Sequence, residues 1–254
     1  MAHVLAFGDV HGDVVALDRV LKNDTLHQCG QAICLGNLLG WIPCARQCLE
    51  RAAQSRLACL QGQSEWALLH KECFSRISSA YRKELLALQQ GEFDECCERH
   101  GLDFAREKVV DGVWFGSFGA HLTTIQGSLI EEEWAHVFGA FRERRAVTVG
   151  ARHDGAPFVV RLGTEGVDLT RVDEKGEHRW TADVKVRELV VIPSLVMNRT
   201  EPERLWFAVV GNESVSFTSL EHDWSWARQE LLRYGDAGRT VISAYYGRSA
   251  GDQI

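Results

Sequence analysis

Proline is scarce in this chain, with four in 254 residues, and no Pro- or Ser-rich stretch divides it. That absence argues against a linker between independent halves. The economical reading is one domain over residues 1–235, followed by a C-terminal tail over 236–254. No apolar run approaches the ~20 residues of a membrane helix, and the start of the chain lacks the basic segment and apolar stretch of a secretory signal. A cytoplasmic protein with no membrane partner is therefore expected. There is no CxxC pair among the eight cysteines, all of which lie between Cys29 and Cys97. A zinc or redox motif is thus poorly supported, and the cysteines read as reduced thiols that fill the core. Positive charge is not in excess: the formal net charge is −7, so a broad electrostatic grip on nucleic acid is not expected. The local run Arg142, Arg144 and Arg145 reads as the solvated end of a helix. No internal repeat or low-complexity tract is evident.

What is present begins at Phe7-Gly8-Asp9-Val10-His11-Gly12-Asp13. It follows an apolar run and precedes a helical pattern over 14–22. An Asp and a His two apart at a strand exit suit a transition metal, and open α/β sheets bind ligands at the carboxyl ends of their strands. The first half continues in βαβα order, with strands predicted over 3–7, 31–35 and 56–60 and helices over 14–22, 44–53 and 65–70. That order implies a parallel sheet with right-handed crossovers. Residues 78–100 read as an extra helical insertion with a break near Gly91. Asp111-Gly112 predicts a hairpin turn. A strand over 122–125, a helix over 130–142 and a strand over 146–149 follow. Strands are predicted over 158–162, 167–171, 189–192, 205–210 and 214–218, then a helix over 223–233 and a Gly-rich end that is loosely held apart from the apolar stretch 241–246.

These motifs resemble those of the calcineurin-like metallophosphoesterase superfamily, in particular its small bacterial members, over nearly the whole chain. The resemblance implies an α/β fold, a four-layer αββα sandwich of two mixed β-sheets flanked by helices, with two metal ions at the carboxyl edge. Asp9 and His11 match the D-x-H motif. Gly36-Asn37-Leu38-Leu39-Gly40 is similar to the family's GD motif, with Asn37 where the metal-bridging Asp stands. Gly62-Gln63-Ser64 is similar to GNH, so that Gln63 replaces a second-metal ligand and Ser64 replaces the catalytic His. Gln126, in Thr124-Ile125-Gln126-Gly127-Ser128, replaces another second-metal His. Gly150-Ala151-Arg152-His153 is similar to G-H-x-H, with Ala151 in place of a ligand and His153 retained. Val190 to Ser194 resembles the family's V-N-P-G-S strand.

The resemblance thus leaves Asp9, His11, Asn37 and His153 as a candidate single-metal site, for one Mn, Fe or Zn ion or for none. At the second position it leaves only the degenerate Gln63, Gln126 and Ala151. Asp9 is the one matched carboxylate, too little negative charge for two adjacent dications. A two-metal centre is not expected, and no catalytic residue is assigned. Three roles remain open. One is a pseudoenzyme that acts as a binding, scaffold or regulatory protein with a protein partner. Another is a mononuclear phosphatase or phosphodiesterase. The third is a sensor of a phosphorylated small molecule held by Arg152. Asp13, Glu65 and Asp154 read as helix caps or solvated carboxylates, and Trp41, Trp66 and Trp114 as core packing near the cleft.

Overall fold

The computed structural model describes residues 3–23, 25, 28–71, 80–117, 137–139, 142–150, 157–172, 176–196 and 203–245. Gln126, Ala151, Arg152, His153 and Asp154 lie outside them, as do the strand expected over 122–125 and most of the helix expected over 130–142.

The first strand, β1 (His3–Phe7), carries apolar side chains on both faces, as a strand buried between two layers must. It leads into α1 (Val14–Leu21), β2 (Cys29–Cys34), α2 (Ala45–Gln54), β3 (Ala58–Leu60) and α3 (Gln63–Leu69). Next come a long helix, α4 (Ala80–His100), and the short strand β4 (Phe104–Ala105). The hairpin of β5 (Glu107–Val110) and β6 (Val113–Gly116) follows. Its turn has positive φ at Asp111 and Gly112, as a tight Asp-Gly connection requires. Then come β7 (Arg145–Gly150), β8 (Phe158–Gly163), β9 (Gly166–Arg171), β10 (Glu177–Arg179), β11 (Arg187–Pro193), β12 (Arg204–Val210) and β13 (Ser214–Glu221). Two helices, α5 (Ser225–Leu232) and α6 (Gly235–Tyr245), close the described chain.

The strands form two mixed sheets. One has the order β10-β13-β12-β1-β2-β3-β4 and the other β5-β6-β7-β11-β8-β9. Alternation along each strand divides the core. Val4 and Ala6 of β1 join Ile33, Val147, Val190 and Trp206 between the sheets. Leu5 and Phe7 face the other way, onto Leu17, Leu49, Leu86 and Leu231 of the helices. On the outer face of the second sheet, Val137 and Phe138 pack on Trp114, Val160 and Leu189.

Three expectations change. First, α4 runs through Gly91 without a break. Gly91 is exposed, so its helix penalty of about 1 kcal/mol is outweighed by burial of Phe93 and Cys96 on the opposite side. Second, the residues just after Gly235 are helical rather than loosely held, continuous with the apolar stretch, because Ala237 and Val241 are both buried in the helical core cluster. Third, Arg144 and Arg145 are no solvated helix end. Arg144 Nη2 donates to the carbonyls of Thr181 and Asp183. Arg145 Nη1 donates to that of Asn212, its guanidinium lying over the Trp180 ring. The two pin neighbouring loops. Two short strands, β4 and β10, carried no sequence signal of their own.

Candidate functional site

The motif turns converge because β1, β2 and β3 are parallel neighbours. Their carboxyl ends release residues 8–12, 36–42 and 61–64 at one edge of the sheet. The first two loops are laced by main-chain hydrogen bonds. Asp9 N–H donates to Gly36 O (2.9 Å), His11 N–H to Asn37 O (2.8 Å), Gly12 N–H to Leu38 O (2.8 Å) and Ile42 N–H to His11 O (2.8 Å). Asp9, His11 and Asn37 all have positive φ, near 60°, 52° and 51°. The left-handed region costs a non-glycine residue roughly 1–2 kcal/mol. Such strain persists only where the surroundings over-determine it, and it clusters at functional sites.

Glu65 holds the second and third loops together. Its carboxylate is fully buried. Oε2 accepts from Asn37 N–H (2.8 Å) and Gly62 N–H (2.9 Å), and Oε1 accepts from Leu39 N–H (2.9 Å). Burial pushes its pKa up, against the pull of these backbone donors. Gly62 is required here: a Cβ on it would lie 2.2 Å from Asn37 N. Glu65 is thus the expected cap of α3, through Gly62 N–H, and not a solvated carboxylate. Asp13 caps α1 through Ala16 N–H (2.8 Å), and its other oxygen faces His222 Nε2 at 3.3 Å.

At the centre, Asn37 places its amide between two partners. Nδ2 donates to Asp9 Oδ1 (2.8 Å), and Oδ1 accepts from Ser64 N–H (3.0 Å). Ser194, at the end of β11, approaches Asp9 from the second sheet and hydrogen-bonds its carboxylate. Burial raises the Asp9 pKa; the bonds from Asn37 and Ser194 and the charge of Arg82 oppose that rise. His11 Nε2 lies 3.8 Å from Asp9 Oδ1. Its pKa is held well below the usual value, by burial first and by Arg82 second. His11 is therefore a neutral imidazole near pH 7. A Cβ on Gly40 would lie 2.5 Å from His11 Nδ1 and 3.0 Å from Ser64 Oγ, so these two side chains flank one small space.

Arg82 carries no motif signal, yet it reaches this cleft from the first turn of α4. Nη1 donates to Gln63 Oε1, and Nη2 donates to Ser64 Oγ at 2.9 Å. The guanidinium carbon sits 5.4 Å from the centre of the Trp41 ring. The helix that carries it is anchored: Gln89 Nε2 donates to Gly40 O (2.7 Å), and Gln90 Nε2 donates to Leu68 O (3.1 Å). One signal pointed this way: a cleft stripped of metal ligands needs a cation from elsewhere if Asp9 is to stay ionised. Trp41 is buried at the cleft, whereas Trp114 belongs to the outer core with its Nε1 donating to Glu107 (2.7 Å).

The fold has a counterpart in a known structure. A metallophosphoesterase from Sphaerobacter thermophilus superposes with a TM-score of 0.69 at 17% identity, over 95% of this chain and 99% of that one. The fold is that of a metallophosphoesterase. A second structure, of a protein proposed to be a diadenosine tetraphosphatase, is similar over 87% of this chain and 94% of that one, with a TM-score of 0.49 at 14% identity. No protein-family model matches the sequence, and no curated protein matches it. At these identities the likeness carries the fold and not the activity.

Metallophosphoesterase neighbours imply divalent metal use. Among the described residues, no group of three or more His, Cys, Asp and Glu side chains comes together as a metal cage. Asp9 and His11 lie together, but Asn37 turns an amide N–H₂, not an oxygen, toward Asp9. Gln63 and Ser64 face a guanidinium. Donors and a fixed positive charge repel a cation, so these residues do not fit a second metal ion.

Proposed function

We propose that this chain is a metallophosphoesterase-superfamily protein that has lost two-metal hydrolysis and works as a binding, scaffold or regulatory protein. The observation that carries the reading is the Asn37 amide, which donates to Asp9 where a bridging carboxylate would repel it. A two-metal centre activates water and stabilises both the attacking and leaving oxygens. Each electrostatic stabiliser of this kind is worth about 3–4 kcal/mol in barrier height. With the bridge, the second-metal ligands and the stabilising His all replaced, the fold's hydrolytic route is closed. Free cysteines at the seven described positions support a reducing, cytoplasmic setting. The partner would be a protein or a phosphorylated small molecule.

One observation favours a second reading, a mononuclear phosphoesterase built on Asp9, His11, Asn37 and His153: His11 is buried with Nε2 beside Asp9, and its Nδ1 has no hydrogen-bond partner. Elemental analysis of protein purified without chelator separates the two, run alongside bis(p-nitrophenyl) phosphate hydrolysis in added Mn²⁺. The pseudoenzyme reading expects no bound metal and no turnover. About one equivalent of Mn, Fe or Zn, with turnover, both abolished in Asp9→Ala, would replace it with the mononuclear enzyme.

A further inference from the structure

Arg82 is the one cation that the described structure brings to the cleft floor, and the floor is shaped to keep it there. Its two terminal nitrogens each engage a motif side chain, Gln63 and Ser64. Its flat face lies over Trp41, which also packs near His11, with ring centres 6.2 Å apart. The supporting helix is fixed by Leu85 and Leu86, both fully buried, and by the bond from Gln89 to the carbonyl of Gly40. In the same cleft stands Asp9, a buried carboxylate that accepts from the neutral amide of Asn37. A buried carboxylate without a countercharge is costly. In a metal-bearing cleft the ions supply that charge.

We propose that Arg82 is a built-in cation that takes the place of a divalent metal in this cleft, so that removing its charge turns Asp9 and His11 into a metal-binding pair. The inference rests on the pseudoenzyme reading and names its physical cause. The guanidinium's charge opposes protonation of Asp9 and repels an incoming dication, while its bonds to Gln63 and Ser64 help hold the loops without metal. The guanidinium also suits Gln63 and Ser64, whose carbonyl and hydroxyl oxygens accept from it.

The test is titration of Mn²⁺ and Zn²⁺ into the full chain by calorimetry, with melting temperature as a parallel readout. Arg82→Gln and Arg82→Met should each gain saturable binding at least tenfold tighter than the native chain. Arg82→Lys, which keeps the charge, should not gain it. Adding Asp9→Asn to Arg82→Gln should abolish the gain. Equal affinity in the native chain and Arg82→Gln, or a gain that survives Asp9→Asn, would overturn the inference. So would failure of all three Arg82 variants to fold, which would assign the residue to stability alone. A native chain with neither metal nor turnover, beside an Arg82→Gln that gains nothing, would leave the pseudoenzyme reading standing and defeat this inference by itself.

Discussion

Replacing Glu65 by Gln tests the physical basis of the cleft more sharply than any change at its centre. The substitution keeps shape and volume, so no cavity forms, and only the charge and one acceptor are lost. The carboxylate accepts three backbone N–H bonds, two on Oε2 and one on Oε1. The best amide orientation keeps its oxygen on Asn37 N–H and Gly62 N–H and turns its NH₂ toward Leu39 N–H. One buried donor is then unsatisfied and faced by another donor, which costs about 1–3 kcal/mol. The two surviving bonds become neutral, and charge-assisted bonds are about twice as strong. Removing a buried charge gives some of this back, since burial already disfavours the ionised form. The net expectation is a loss of about 3 kcal/mol, or a fall in melting temperature of about 6–12 °C for a chain of this size. Urea denaturation followed by tryptophan fluorescence measures it directly. A Glu65→Gln protein within about 0.5 kcal/mol of the native chain would refute the claim that this carboxylate ties the loops.

Three further outcomes are expected. Asn37→Asp replaces the donor to Asp9 with a like charge and should cost about 2–3 kcal/mol at pH 7.5 without metal; because the pair then holds a proton more tightly when folded, the loss should shrink as pH falls toward 5, and equal stability at pH 7.5 would contradict the assigned amide orientation. Burial raises the Glu188 pKa, but hydrogen bonds from His178, Arg161 and the Thr181 N–H outweigh it and hold the group below its usual 4.5. Its stabilisation is therefore full above that value and lost as pH falls through the depressed pKa, so the stability gap between the native chain and Glu188→Gln should stay constant from neutral pH to about 5 and close below it; a gap that widens on acidification would reverse the sign. Burial pushes the Cys44 thiol up to about 12 and the Cys97 thiol, half-buried, up to about 11. In folded protein at pH 8, mass mapping after brief alkylation should find Cys97 labelled well before Cys44, and the reverse order would mean that the helical layer opens readily.

The local features were legible in the sequence because local physics decides them. Strand β1 spans the residues that its apolar run marked. The hairpin turn sits at Asp111-Gly112, since the pair accepts positive φ. The three motif turns lie at strand ends because βαβ order leaves their strands parallel. The resemblance those turns carry implied the two-sheet fold and the placement of Asp9, His11, Asn37, Gln63 and Ser64 at one edge.

What bears on function most directly was settled only by packing. Beyond the cap that its position suggested, Glu65 reaches across 26 and 28 residues to clamp a loop. Arg82 comes from 19 residues beyond Gln63, on a helix whose sequence suggested a break. The same amide could offer Asp9 an oxygen or a nitrogen, and Ser64 N–H, by donating to Asn37 Oδ1, chooses the nitrogen. Residue identities state which groups a cleft can contain. The sign of its charge depends on which side chains arrive from elements distant in sequence, and burial against neighbouring helices determines that.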